Sequence, residues 1–349
     1  MNKHDLELEN LEVESDILGI YLKKIWTAVH NPLLSQPNQH TKLDFLLEKA
    51  MFDLLGISQA DAVKVLYESA HCYQTFLSRL AYYGNINELA LARLCSYLKQ
   101  EVQPDEVQQL NTQVKHMDNV LCEDDILHWQ THGFVVVKNA IDQAMCDNVI
   151  HAIGEYLQID IADNRQWYSS EKRSGIMVEL IQHEALNQVR RSRRVHKAFS
   201  QLWHTEDLIV SSDRCGFNPP QTTNYPFSGP DLHWDVNFAK PLTFGTQGII
   251  YLTDTEQDQG ALTLVPGFHK TLPHEVSKYQ LQPEPATLHQ LGSKPIAANA
   301  GDMIIWHHFL PHGSRANLTD KPRIVQYLNM YPFPSEHLEC EQQATKREW

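Results

Sequence analysis

Apolar residues recur at helical spacing through the first third of the chain. In DILGIYLKKIWTAVH, Ile17, Leu18, Tyr21, Leu22, Ile25 and Val29 fall three or four residues apart, which lines one face of a helix. HTKLDFLLEKAMFDLLGIS continues the pattern and halts at Gly56. SQADAVKVLYESAHCYQTFLSRLAYYG reads as a helix from an N-cap at Ser58 to Gly84. NINELALARLCSYLKQEV reads as another, starting near Asn85 or Asn87 and ending before Pro104. Four such stripes predict a small bundle. The polar stretch EVQPDEVQQLNTQVKHMDN reads as a helical linker.

The period changes near residue 120. DDILHWQTHGFVVVKNAI predicts a short helix before Gly133 and a β-branched strand over Phe134 to Val137, and DQAMCDNVIHAIGEYL is an amphipathic helix. From about residue 208 the chain turns to short apolar runs, namely LIVSS, TQGIIYLT, ALTLV, KPIAA, DMIIW and RIVQYLNMY, punctuated by Pro and Gly. Many short strands between turns predict a sandwich or barrel. The organisation expected is a helical domain over 1–118, acting as an auxiliary, lid or dimerisation domain, and a β-rich catalytic domain over 119–349.

Composition narrows the function classes. With 29 Lys and Arg against 43 Asp and Glu, the formal charge is −14. That balance argues against a nucleic-acid surface, which needs a basic face. No apolar run approaches the ~20 residues of a membrane helix, and the acidic start MNKHDLELENLEVESD lacks the apolar region of a signal peptide. The six scattered cysteines form no CxxC pair, which reads as reduced thiols in a cytoplasmic protein.

The chemistry begins at DLHWDVNF. In an extended chain, side chains at i and i+2 share a face, so His233 and Asp235 project together while Leu232, Trp234 and Val236 point the other way. The pair could be two arms of a metal site or a structural hydrogen bond. A metal site needs a third ligand, and His269, His274, His289, His307, His308, His312 and His337 follow in sequence. The run AGDMIIWHHFLPHGSRANLTDKPRIVQY is the informative one: a strand, a break at Pro311, then His312 heading HGS, and Arg323 opening the next strand. Two histidines and one carboxylate leave a face of an Fe(II) ion open for 2-oxoglutarate and O2. The far carboxylate of 2-oxoglutarate needs a buried cation, which a planar guanidinium grips through two bonds.

His233, Asp235, His312 and Arg323 together carry a resemblance. The chain resembles the phytanoyl-CoA dioxygenase family of Fe(II)/2-oxoglutarate oxygenases over about residues 121 to 334. The carrying blocks are HTEDLIVSSDRCGFNPP with LHWD, GIIYLTDTEQDQGALTLVPGFHK, and GDMIIWHHFLPHGSRANLTDKPR. The resemblance implies an α+β fold: a double-stranded β-helix (jelly-roll, cupin-like) core with flanking helices, here preceded by an N-terminal all-α bundle outside the family's pattern. It implies His233, Asp235 and His312 as iron ligands and Arg323 as the anchor of the 2-oxoglutarate C5 carboxylate. Ser314 matches an assisting hydroxyl. Asn218 falls near the group presented to the other end of 2-oxoglutarate. Ile249 stands where the family often has tryptophan, which alters the expected pocket wall.

Other residues receive plainer readings. His307 or His308 is expected to be solvated or backbone-bonded, His269 structural, and Trp234 core. Asn317 is a candidate for orienting the His312 loop, and Arg214 for a buried salt bridge. Arg190, Arg191, Arg193 and Arg194 read as a solvated helix face, with an anion patch as the alternative. The function expected is hydroxylation of a small metabolite or natural-product intermediate, producing succinate and CO2. Desaturation or ring closure at the same centre is the alternative, and halogenation is disfavoured because Asp235 fills the halide's position. A zinc hydrolase would leave Arg323 unexplained. A different class remains, in which the helical bundle is a partner-binding or scaffold module forming a homodimer.

Overall fold

The structure is a computed structural model; it describes residues 16–30, 42–68, 72–238, 242–279 and 283–334. They fall into two compact units. The first takes in the described residues up to Met117, the segment Thr205–Asp213 and residues 332–334.

The first unit holds helices Asp16–His30, Lys42–Leu54, Gln59–Glu68, Tyr73–Tyr83, Glu88–Lys99 and Asp105–His116. Ser58 caps as expected, its Oγ accepting the Asp61 N–H at 3.0 Å. The single helix expected from Ser58 to Gly84 is instead two. Cys72 is extended and caps a fresh start, its Sγ accepting the Thr75 N–H. The stretch read as a linker is a packed helix, because Val107 and Val114 lie seven residues apart on one buried face. Thr205–Asp213 contributes strand Leu208–Val210 to this unit, although it lies inside the span expected to be the catalytic domain. Asp207 accepts hydrogen bonds from Arg93 and Tyr97, and the Ser212 N–H donates to Asp53 Oδ1 at 2.8 Å.

In the second unit, Glu123–His132 ends at Gly133, whose φ of +75° suits glycine. Strand β1 (Phe134–Val137) follows, then helix Gln143–Leu157. Numbered in chain order, with β4 belonging to the first unit, the remaining strands are β2 (Arg173–Ser174), β3 (Met177–Val178), β4 (Leu208–Val210), β5 (Cys215–Asn218), β6 (Thr246–Tyr251), β7 (Thr263–Leu264), β8 (Lys294–Pro295), β9 (Met303–His307), β10 (His312–Gly313), β11 (Arg323–Tyr327) and β12 (Met330–Pro332). One sheet runs β1-β9-β6-β11-β5-β3-β2 and a second runs β10-β7-β8, with every neighbouring pair antiparallel. This is the jelly-roll core with flanking helices. RIVQYLNMY does not run as one strand: β11 stops at Tyr327, and the Leu328 N–H turns to Gly248 O.

Alternation sorts the large sheet. Gln247, Ile249 and Tyr251 of β6, Ile304 and Trp306 of β9, and Arg323 and Val325 of β11 share the inner face through register pairs such as Gln247↔Trp306 and Val325↔Tyr251. The core lies there, joined by Leu264, Leu262 and Ile296 from the small-sheet side and by Leu232 and Trp234. Each such side chain, fully buried, contributes on the order of 1.5–3 kcal/mol. DLHWDVNF is not the strand expected. Only His233 pairs, in an isolated antiparallel bridge to His312. The face assignment still holds, with Leu232 and Trp234 buried.

Candidate metal centre

Three backbone bonds fix the first ligand segment against β10: His233 N–H to His312 O at 2.9 Å, His312 N–H to His233 O at 3.0 Å, and Ser314 N–H to Pro230 O at 2.8 Å. Gly313 makes this approach possible, because a Cβ there would run into the Asp231 carbonyl and stand 2.8 Å from the Leu232 nitrogen. Two parts of the chain remote in sequence thus lie side by side, and their imidazoles sit 4.7 Å apart between ring centroids.

Both rings are held in one tautomer. His233 Nδ1 faces the Asp231 carbonyl at 2.7 Å and His312 Nδ1 faces the Leu310 carbonyl at 3.2 Å. A carbonyl only accepts, so each Nδ1 carries the proton and each Nε2 presents a lone pair. Those Nε2 atoms point at one carboxylate: His233 Nε2 is 3.4 Å from Asp235 Oδ1 and His312 Nε2 is 3.3 Å from Asp235 Oδ2. One ligand atom from each of the three residues lies within 4.8 Å of the others, a donor set of two nitrogens and one oxygen sized for a single cation. Neighbouring protein atoms work against ionisation of Asp235 even though its side chain is more than half exposed, but hydrogen bonds from His233 and His312, once those rings are also protonated at Nε2, outweigh that and hold its carboxyl far below the usual carboxylate range. Burial likewise disfavours the His233 imidazolium. Asp235 and Asp231 overcome that and raise its pKa, so a proton and a cation compete for this ring.

Two outer contacts escaped sequence reading. Gln247 Nε2 donates to Asp235 Oδ2 at 2.6 Å. The Asp231 carboxylate is fixed by the Leu232 N–H at 2.7 Å and by His289 Nε2 at 2.9 Å. TQGIIYLT reads as a plain core strand. The one signal for Gln247 is an amide at an alternate position shared with Ile249 and Tyr251.

Arg323 has no exposed surface, and among the described residues its Nε, Nη1 and Nη2 have no hydrogen-bond partner within bonding geometry, although the Tyr251 phenol lies near enough to feel its charge. Such a guanidinium inside a core calls for an anion. Asn218 stands directly opposite it in the β5–β11 register, with its Nδ2 bonded to Arg315 O. It therefore shares the Arg323 face. Burial pushes the neighbouring Tyr251 phenol up to about 12, so it stays neutral, donating to Ile296 O and accepting from the Leu262 N–H. Ser314 is buried immediately after β10. Ile249 is core.

The remaining candidates separate from the centre. Trp234 is core, donating through Nε1 to Phe309 O. Asn317 ties the His312 loop to β5 through Nδ2 to Asn218 O at 2.9 Å. His308 is backbone-bonded to Thr243 O. His307 is buried rather than solvated, packed on Trp129 and His269, and burial holds its pKa well below the ordinary value. His269 is buried against Gly133. Arg214 reaches Glu179 at 3.4 Å, half-exposed rather than buried. Arg190 bonds Ile181 O, Arg191 bonds Glu184 and Arg194 bonds Lys138 O. His337 and Cys340 lie outside the described residues, where the other five cysteines are free thiols. No helix among the described residues is long and apolar enough to cross a membrane.

The sequence model described as "Phytanoyl-CoA dioxygenase (PhyH)" matches residues 129–325. A Dictyostelium discoideum protein named "Putative phytanoyl-CoA dioxygenase" is 23% identical over 258 residues, covering 58% of this chain and 74% of its own length. Among solved structures, HygX from Streptomyces hygroscopicus, with nickel and 2-oxoglutarate bound, aligns at 14% identity and a TM-score of 0.46 over 61% of this chain and 87% of its own. EvdO2 from Micromonospora carbonacea var. aurantiaca, complexed with 2-oxoglutarate, aligns at 16% identity and a TM-score of 0.44 over 61% and 92%.

Proposed function

The chain belongs to the phytanoyl-CoA dioxygenase family, which makes it a non-heme Fe(II)/2-oxoglutarate-dependent dioxygenase using O2, and we propose that it hydroxylates an unactivated C–H bond of a small metabolite or natural-product intermediate. In this reading His233, Asp235 and His312 hold the iron. When bound, Fe(II) with 2-oxoglutarate and O2 supplies the oxidising power, with succinate and CO2 as co-products.

The residues do the rest. Asp231 and Leu310 carbonyls keep the Nε2 lone pairs of His233 and His312 aimed at the cation. Two neutral imidazoles and one carboxylate leave a bound dication net positive, which draws an anionic cosubstrate. Arg323 grips the far carboxylate of 2-oxoglutarate; Ser314 and Asn218 assist it. The observation that carries this reading is the buried Arg323 guanidinium with three unpartnered nitrogens, a requirement that a hydrolytic metal site would not create. A small substrate suits the committed basic cluster, since Arg190, Arg191 and Arg194 each serve a local partner rather than a polyanion.

Anaerobic titration of the full chain with Fe(II) and then 2-oxoglutarate tests it. The expected result is a visible metal-to-ligand charge-transfer band, lost in Asp235→Ala, followed by succinate release in a metabolite screen. A wild-type protein that gives no band sinks the assignment.

A further inference from the structure

Asp235 is the least secured of the three metal-facing residues. His312 sits in β10, and His233 is tied to it by paired backbone bonds. Asp235 lies beyond that bridge, outside any ladder, with its side chain 56% exposed. A carboxylate so placed can rotate, and it can offer a cation one oxygen or two.

Gln247 removes that freedom. Its Nε2 donates to Asp235 Oδ2 at 2.6 Å, a charge-assisted bond of the stronger kind. The amide is itself fixed from the far side, where Trp306 Nε1 donates to Gln247 Oε1 at 3.1 Å. An indole N–H can only donate, so the amide oxygen must face Trp306 and the NH2 must face Asp235. Turning the amide over would set N–H against N–H and oxygen against carboxylate. Gln247 and Trp306 are register partners in the five-pair β6–β9 ladder. The donor therefore stands on a rigid element while the acceptor stands on a loop.

We infer that Gln247 is the positioning residue of Asp235: its amide, oriented by Trp306, holds Oδ2 and so fixes the rotation of the carboxylate against the His233 and His312 Nε2 atoms that it faces. The inference rests on the metal-centre reading above. A fixed rotation matters because a carboxylate free to turn can offer both oxygens equally, and the second would take a coordination position that 2-oxoglutarate or O2 requires. Outer partners of this kind typically change metal affinity by about ten- to a hundred-fold.

The test is Fe(II) titration of the full-length protein under argon, paired with thermal melting of the metal-free form. Gln247→Met keeps length and bulk but removes the donor. It is expected to weaken Fe(II) binding by about ten- to a hundred-fold, with a metal-free melting temperature lowered only by the loss of the Trp306 indole's acceptor and no more than in Trp306→Phe, and with a displaced charge-transfer band once 2-oxoglutarate is added. Trp306→Phe keeps Gln247 but frees the amide to turn, and is expected to show the same shifts at smaller size; it also decides the matter if Gln247→Met does not fold. Wild-type affinity and band position in the variants overturn the inference. So does a loss of affinity matched by an equal loss of metal-free stability, which would mark Gln247 as merely structural. If the wild type itself takes up no Fe(II), the metal-centre reading fails first.

Discussion

Arg323 carries a full charge into a place with no accessible surface and no hydrogen-bond partner for its three nitrogens. Burying such a group costs several kcal/mol even after relaxation. In the proposed reading that cost is borne for the sake of the anion Arg323 anchors. Arg323→Met should melt a few degrees higher than wild type without ligand, because a flexible apolar chain of similar length fills the same space. The same variant should lose the rise in melting temperature that 2-oxoglutarate with Mn(II) gives the wild type. Thermal melts with and without the two ligands check both halves; an Arg323→Met protein still stabilised by 2-oxoglutarate would refute the anchor role. The motif spacing pointed to this arginine. Its isolation is a property of packing, because it depends on what β5, β6 and β11 fail to place beside it.

At the scale of elements, the centre depends on how closely β10 and the Asp231–His233 segment approach. Gly313 permits that approach, and what a Cβ would strike is backbone, which cannot step aside as a side-chain tip can. Gly313→Ala should therefore cost about 1–3 kcal/mol of stability and lower Fe(II) affinity in the same variant, read by urea unfolding and metal titration. Loss of stability with full metal affinity would show that the ligands survive without the bridge. The contrast with Gln247→Met, where affinity falls further than the metal-free stability does, separates the frame from the fine adjustment. The alternation of DLHWDVNF assigned Leu232 and Trp234 to the core and His233 and Asp235 to the opposite side. The missing ladder was not legible, because pairing depends on what lies alongside, and only His312 does. The break at Cys72 was hidden for a related reason: a continuous apolar stripe reads through a cap whose geometry is local to one residue.

For the whole molecule, the two compact units are not cut at one point in the chain. Thr205–Asp213 belongs with the helical unit, where Leu208 and Ile209 are buried and Asp207 is bound by Arg93 and Tyr97. A protein reduced to residues 119–349 would leave that segment without its packing. It should express less soluble protein and melt well below the full chain, measured side by side by yield and thermal scan. A truncated protein as stable as the full chain, and still consuming 2-oxoglutarate, would instead make the helical unit dispensable. The amino-acid sequence by itself determined a helical region followed by many short strands and, through the family resemblance carried by HxD, HGS and the following arginine, the expected jelly-roll class and the candidate ligand residues, because periodicity and short spacings are properties of neighbours along a chain. Tertiary structure alone decided that Gln247 meets Asp235, that His289 meets Asp231, and that Arg323 is left without a partner. Those facts arise from cross-strand register and the closure of two sheets, which bring together residues too far apart in sequence for any local pattern to connect.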